Sequence, residues 1–189
     1  MDRRVFTVGA AALALPAFAR SADDPLAALR RGGAVLLLRH AQTEPGVGDP
    51  PGFRPGVCSS QRNLSAAGRA QSAAIGRWLA AQGLRPVAVK SSAWCRCLDT
   101  ATLAFGSVEP WPALDSFFDD RSREPAQTAA LREALAQVAA GGFEVWVTHM
   151  VNILALSGES VASAEGVVVR AAAGKAHNVG RLQFPGGTP

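Results

Sequence analysis

Apolar positions along this chain fall into short runs separated by longer stretches of helical period. Val35-Leu36-Leu37-Leu38 is a continuous apolar run bounded by Arg31-Gly32-Gly33 and Glu44-Pro45-Gly46, which predicts a strand buried on both faces. Val87-Ala88-Val89-Lys90 and Phe143-Glu144-Val145-Trp146-Val147-Thr148 predict two more. Gly166-Val167-Val168-Val169-Arg170 and Val179-Gly180-Arg181-Leu182-Gln183-Phe184 predict a terminal pair joined through Ala173-Gly174-Lys175. Between the strands, Ser65 caps a helix with Ala67, Ala70, Ala74, Ile75, Trp78 and Leu79 on or near one face, closed by Gly83. Further helices are predicted over 24–30, over 93–105, and from Pro125 to Gly141-Gly142. Alternating strands and helices predict the α/β class, a three-layer α/β/α sandwich with a mostly parallel central sheet.

A length of 189 residues suits one domain with a full core. The beginning reads differently. Arg3-Arg4 precedes an uncharged Ala- and Leu-rich stretch that ends in Ala17-Phe18-Ala19. A positive start, an apolar middle and an A-x-A site predict a signal peptide over 1–19, with the mature domain over 20–189. Arg3-Arg4-Val5-Phe6 resembles the twin-arginine export signal, and an arginine pair also serves the general secretory route. Both routes place the mature protein in the periplasm or outside a bacterial cell. The apolar stretch is short for a membrane span, so none is expected after its removal; an uncleaved anchor is the other reading.

The formal charge is +4, and loss of Asp2, Arg3 and Arg4 with the leader would leave +3. This mild excess suits a small anionic substrate. No block of five like charges occurs and no aromatic residues alternate with basic ones, which argues against nucleic acid. The three cysteines, Cys58, Cys95 and Cys97, lack a Cys-x-x-Cys pair, which argues against zinc. In an oxidising compartment Cys58 would pair with Cys95 or Cys97; buried free thiols are the alternative.

Candidate chemistry collects at strand ends. Arg39-His40 close the first strand, Arg96 lies in the helix after the second, and His149 ends the third. Right-handed crossovers between parallel strands bring such ends to one edge of the sheet, where two Arg and two His would form an anion pocket. The arginine fork grips phosphate oxygens in pairs. A neutral imidazole can attack phosphorus and form a hydrolysable adduct. Phosphoryl transfer asks mainly for positioning and charge stabilisation, which fixed cations supply without a metal. The loop 42–63, rich in Pro and Gly, leaves the first strand directly and brings back Arg62, so it is expected to face the substrate. His177 has no partner pattern and reads as a surface histidine.

These residues form four ordered motifs: Arg39-His40-Ala41 with Thr43; Leu64-Ser65-Ala66-Ala67-Gly68-Arg69-Ala70-Gln71; Ser91-Ser92 with Arg96 and Thr100-Ala101; and Val147-Thr148-His149. In this the chain resembles the histidine phosphatase superfamily, also called the phosphoglycerate mutase-like family. The resemblance implies that His40 is the nucleophile that becomes phosphorylated, and that Arg39, Arg96 and His149 bind the phosphate. It also implies Arg62 as a further substrate contact, Thr43 as a pocket residue, and no metal or cofactor. The expected activity is hydrolysis of phosphomonoesters, with a surface sugar phosphate suiting an exported enzyme.

One departure concerns the proton donor. Ser116 stands where the family places a glutamate, which leaves Asp115 as the nearest general acid, with Asp119, Asp120 and Glu159 as further candidates. His149-Met150 departs from the His-Asp pair of the acid phosphatase branch. In size the chain resembles the members that dephosphorylate phosphohistidine. Two rivals remain: a non-catalytic phosphate-binding module of the same fold, and a thiol-redox protein built on Cys95 and Cys97.

Overall fold

The computed structural model describes residues 24–185; the expected signal peptide over 1–19 lies outside the described residues. Chain order is α1 (Pro25–Arg31), β1 (Ala34–Arg39), α2 (Ala66–Ala81), β2 (Ala88–Ser91), α3 (Cys95–Phe105), β3 (Glu109–Pro110), α4 (Glu124–Gln137), β4 (Phe143–Thr148), α5 (Met150–Ser157), β5 (Gly166–Ala172) and β6 (Lys175–Leu182). The six strands form one sheet in the order β3-β2-β4-β1-β5-β6. β3, β2, β4 and β1 run parallel, while β5 and β6 pair antiparallel, completing the expected three-layer α/β/α sandwich.

Strand alternation divides the core in two. Leu36 and Leu38 of β1 face a cluster containing Leu29, Ile75, Leu79 and Ala101 from α1, α2 and α3. Val35 and Leu37 face Leu131, Leu135, Ile153 and Leu156 from α4 and α5. Burial on both faces accounts for the unbroken apolar run in β1, whose residues 34–38 are all buried.

Four elements differ from the sequence expectation, among them β3, whose two residues are too few to show any alternation. α5 follows β4 directly; its run Met-Val-Asn-Ile-Leu-Ala-Leu-Ser is too short and too uniformly apolar to reveal a period. α4 stops at Gln137 rather than at the glycine pair, because Val138 turns extended with ψ 122°. β6 starts at Lys175, four residues before Val179, since a hairpin tightens to Ala173-Gly174 and alternates exposed and partly buried positions there.

The arrangement fixes the site. β1 and β4 are neighbours with Arg39 beside Thr148, so His40 and His149 leave the sheet side by side. β2 flanks β4 with Ser91 opposite Val147, which puts Ser92 and the start of α3 at the same edge. This is the carboxyl edge of parallel strands, where α/β folds place ligands.

Candidate active site

The backbone around His40 is pinned on every side. Its N–H donates to the Thr148 carbonyl (3.0 Å) and its carbonyl accepts from Ala164 N–H (3.2 Å). The next amide, Ala41 N–H, donates to Thr100 Oγ1 (3.0 Å). Gln42 is gripped from both sides by the second motif: its N–H donates to Gln71 Oε1 (3.1 Å) and its carbonyl accepts from Ser65 N–H (3.1 Å). Gly68 is required there, because a Cβ would meet the Gln42 carbonyl oxygen at 1.8 Å. The second and third motifs thus hold the chain just after the nucleophile candidate.

The His40 ring is buried, and its Nδ1 lies 2.9 Å from the Ala41 carbonyl oxygen. A carbonyl can only accept, so Nδ1 carries the proton and Nε2 keeps its lone pair. Burial pushes the His40 pKa from 6.5 down to about 3, helped by the nearby charges of Arg96, Arg39 and Arg62 and opposed by the bond to Ala41. The ring is neutral at pH 7. His149 packs edge-on to it with centroids 5.4 Å apart, and burial, followed by His40 and the same arginines, holds its pKa well below 6.5.

Three guanidinium groups approach this pair in two ways. Arg39 is anchored through Nη1 on the Val161 carbonyl (2.8 Å), and Arg96 through Nη1 on Asp49 Oδ1 (2.7 Å). The buried Nε of each has no hydrogen-bond partner, so both cavity-lining arginines keep an unused donor that an anion oxygen could satisfy. Arg62 differs. Its Nε donates to the Gly48 carbonyl (2.8 Å), and its Nη1 donates to Thr43 Oγ1 (2.6 Å) and the Gly46 carbonyl (2.9 Å). Arg62 lines the cavity, but its side chain chiefly staples the loop.

Two expected site residues take other positions. Thr43 braces Arg62 and is not part of the cavity wall. Asp115 does not line the cavity either: its Oδ1 accepts from Ser92 Oγ (3.0 Å) and Ala93 N–H (2.8 Å). Ser92 Oγ in turn lies 3.0 Å from His149 Nε2, so Asp115 reaches the site through Ser92 and His149. The polar groups Ser92 and Ala93 draw the carboxylate inward, which the residue's place beside the missing glutamate did not reveal. Burial raises the Asp115 pKa, against the bonds from Ala93 and Ser92. Of the other donor candidates, Asp119 is in the cavity wall beside Ser116, whereas Asp120 and Glu159 are not.

The cavity encloses about 240 Å³ and is lined by Arg39, His40, Arg62, Arg96 and His149, with Val47, Phe118 and Met150 among its apolar members. A larger hollow of about 530 Å³, against Leu79, Val87 and Phe105, contains none of the candidate residues and no histidine. Asp49 is the wall residue that sequence reasoning passed over. The one signal for it was a lone acidic residue between Gly48 and Pro50 in the loop leaving β1. Cys58 and Cys95 form a disulfide, and Cys97 is free and buried with its thiol pKa pushed by burial up to about 12. A Cys95–Cys97 redox pair is therefore absent.

A buried neutral histidine between arginine forks, at the carboxyl edge of an α/β sheet, defines a phosphate-handling site. The sequence profile of the histidine phosphatase superfamily (branch 1) matches residues 35–171, and the chain belongs to that superfamily. No curated protein matches the chain by sequence. Among solved structures it is similar to the protein histidine phosphatase SixA complexed with tungstate, at 18% identity and TM-score 0.53, covering 79% of this chain and 96% of that one. Similar too is a phosphoserine phosphatase variant of Entamoeba histolytica with phosphoserine, at 14% identity and TM-score 0.53 over 80% and 95% of the chains. The product of the open reading frame Rv3214 of Mycobacterium tuberculosis is 20% identical with TM-score 0.54, over 77% and 94%. These likenesses establish the shared fold.

Proposed function

We propose that the protein is an exported phosphatase that hydrolyses small phosphomonoesters through a phosphohistidine on His40. The observation that carries this is the Nδ1–H bond from His40 to the Ala41 carbonyl, which leaves a neutral Nε2 nucleophile in a cavity shared with two arginines whose Nε donors are unpartnered. The forks of Arg39 and Arg96 would hold the phosphoryl oxygens while Nε2 attacks phosphorus in line and the ester oxygen leaves. His149 would add a further contact, oriented by Ser92 and Asp115. Water then attacks the phosphohistidine, releasing phosphate and restoring the free ring. Guanidinium charge performs the stabilisation that a metal would otherwise supply. Export is supported by the Arg3-Arg4 leader pattern and by the Cys58–Cys95 disulfide, a bond that persists in oxidising compartments. A surface sugar phosphate is the substrate class that this location favours.

A second reading, phosphohistidine hydrolysis, is favoured by one observation: the cavity wall has Ser116 and no glutamate. A phosphoramidate releases a good leaving group and needs little acid assistance. The test is hydrolysis of p-nitrophenyl phosphate with EDTA present, beside a His40→Ala variant. Activity that survives EDTA and disappears in the variant, with an acid-labile phosphoryl group trapped on the wild-type chain, is the expected result. Equal activity in both proteins would remove His40 from the mechanism.

A further inference from the structure

Three guanidinium groups converge on this cavity, and their mutual repulsion is visible in the lowered pKa values of Arg39 and Arg62, where burial comes first and neighbouring arginines follow. Such a pocket needs a counter-charge when no ligand is present. Asp49 is the carboxylate that supplies it. Its Oδ1 accepts from Arg96 Nη1 (2.7 Å) and from Arg62 N–H (3.0 Å), and its Oδ2 accepts from Trp94 Nε1 (2.9 Å). The Arg96 and Asp49 side chains are only 5% and 4% exposed. Burial alone would raise the Asp49 pKa, but the bonds from Arg96, Arg62 and Trp94 outweigh it and keep the group ionised.

The pairing uses one face of Arg96. Nη1 is taken while Nε remains buried and unpartnered, the same arrangement that the Val161 carbonyl imposes on Arg39. With three N–H donors on its two oxygens, the carboxylate is satisfied where it stands and need not leave when an anion arrives. We propose that Asp49 is a positioning residue: it locks Arg96 in the rotamer that turns its Nε–Nη2 fork to the phosphoryl group, and ties that fork to the loop. This rests on the phosphatase reading of the site. The loop is also joined to α3 by the Cys58–Cys95 bond one residue before Arg96, so Asp49 and Arg96 are kept in register by two independent links.

The experiment measures inorganic phosphate binding to the full chain by calorimetry, together with kcat and KM for aryl phosphates of graded leaving-group pKa. In Asp49→Ala the phosphate dissociation constant should rise about tenfold, with kcat/KM falling equally for every leaving group. Asp49→Asn keeps an acceptor oxygen for Arg96 and Arg62 and should recover part of the loss. In an Arg96→Ala background, Asp49→Ala should cost no further phosphate affinity, because the two act through one fork. Unchanged or tighter phosphate binding in both Asp49 variants would overturn the proposal, the latter by showing a competing internal anion. Additive losses would overturn it, and so would a loss growing with leaving-group basicity, the mark of a proton donor. A wild-type chain that binds phosphate but hydrolyses nothing would refute the proposed function while the affinity measurements still decide the role of Asp49.

Discussion

On the strand-end wall of the cavity, His40 and His149 are fixed by bonds of the sheet and its helices: His40 N–H to the Thr148 carbonyl, Ala41 N–H to Thr100 Oγ1, and His149 as the N-cap residue of α5; Arg96, rooted in α3, leans on Asp49 of the loop. On the loop wall, residues 44–62 include only one short 3-10 turn and are held by side chains, among them Arg62, Asp49, Gln61 and the Cys58–Cys95 bond. The first wall is ordered by the same hydrophobic burial that folds the domain. The second depends on a few polar links and one disulfide. Under the proposed function, the contrast would place the chemistry on the strand-end wall and affinity and selectivity on the wall that single substitutions can loosen.

The sharpest test compares arginines across the two walls. Arg39→Ala or Arg96→Ala should lower kcat/KM roughly 10²–10³-fold, the usual loss when one donor to developing charge is removed. Arg62→Ala should cost about tenfold and act mainly through KM. Equal losses in all three would erase the distinction between forks and staple. Next in size is the disulfide. It spans 37 residues, so replacing Cys58 and Cys95 by Ser should lower stability by about 4 kcal/mol, or Tm by roughly 10 °C. If thermal unfolding of the pair is unchanged, the loop does not lean on that bond.

Asp115→Asn separates an indirect role from a direct one. Loss of the carboxylate behind Ser92 should lower kcat about tenfold through His149, equally for good and poor leaving groups. A deficit restricted to poor leaving groups would make Asp115 the proton donor after all. The smallest effect concerns pH. His40 and His149 are neutral when folded and carry lowered pKa values, so the unfolded chain takes up more protons below about pH 6.5, and stability falls as pH falls. Between pH 7 and pH 6 the two together should remove about 1 kcal/mol in phosphate-free denaturant titrations. Constant stability over that interval would mean that the rings are not held neutral.

Much of this was readable in the residues themselves. Burial on both faces forces the unbroken apolar run of β1 and the Val145-Trp146-Val147 run of β4, so both strands announced themselves, and with them Arg39, His40 and His149 at their ends. Ser65, Gly68 and Thr100 belong to the motifs that carry the family resemblance, and the structure supplies the reason for them: they clamp the chain beside His40. α5 was not legible, because eight mostly apolar residues have no distinguishing period. Asp115 was placed near the site by sequence proximity, but a side chain's direction depends on partners such as Ser92 and Ala93, which come from another element.

Local sequence therefore determined the buried strands β1 and β4, the helices with a clear period and the residue types at the strand ends, since these answer to periodicity and short-range sterics. Only the tertiary structure decided which cysteine Cys58 joins, which arginines keep an unpartnered Nε, and that Asp49, 47 positions before Arg96, stands against it. Those choices depend on contacts between segments distant in the chain, where geometry and charge are set by packing rather than by neighbours in sequence.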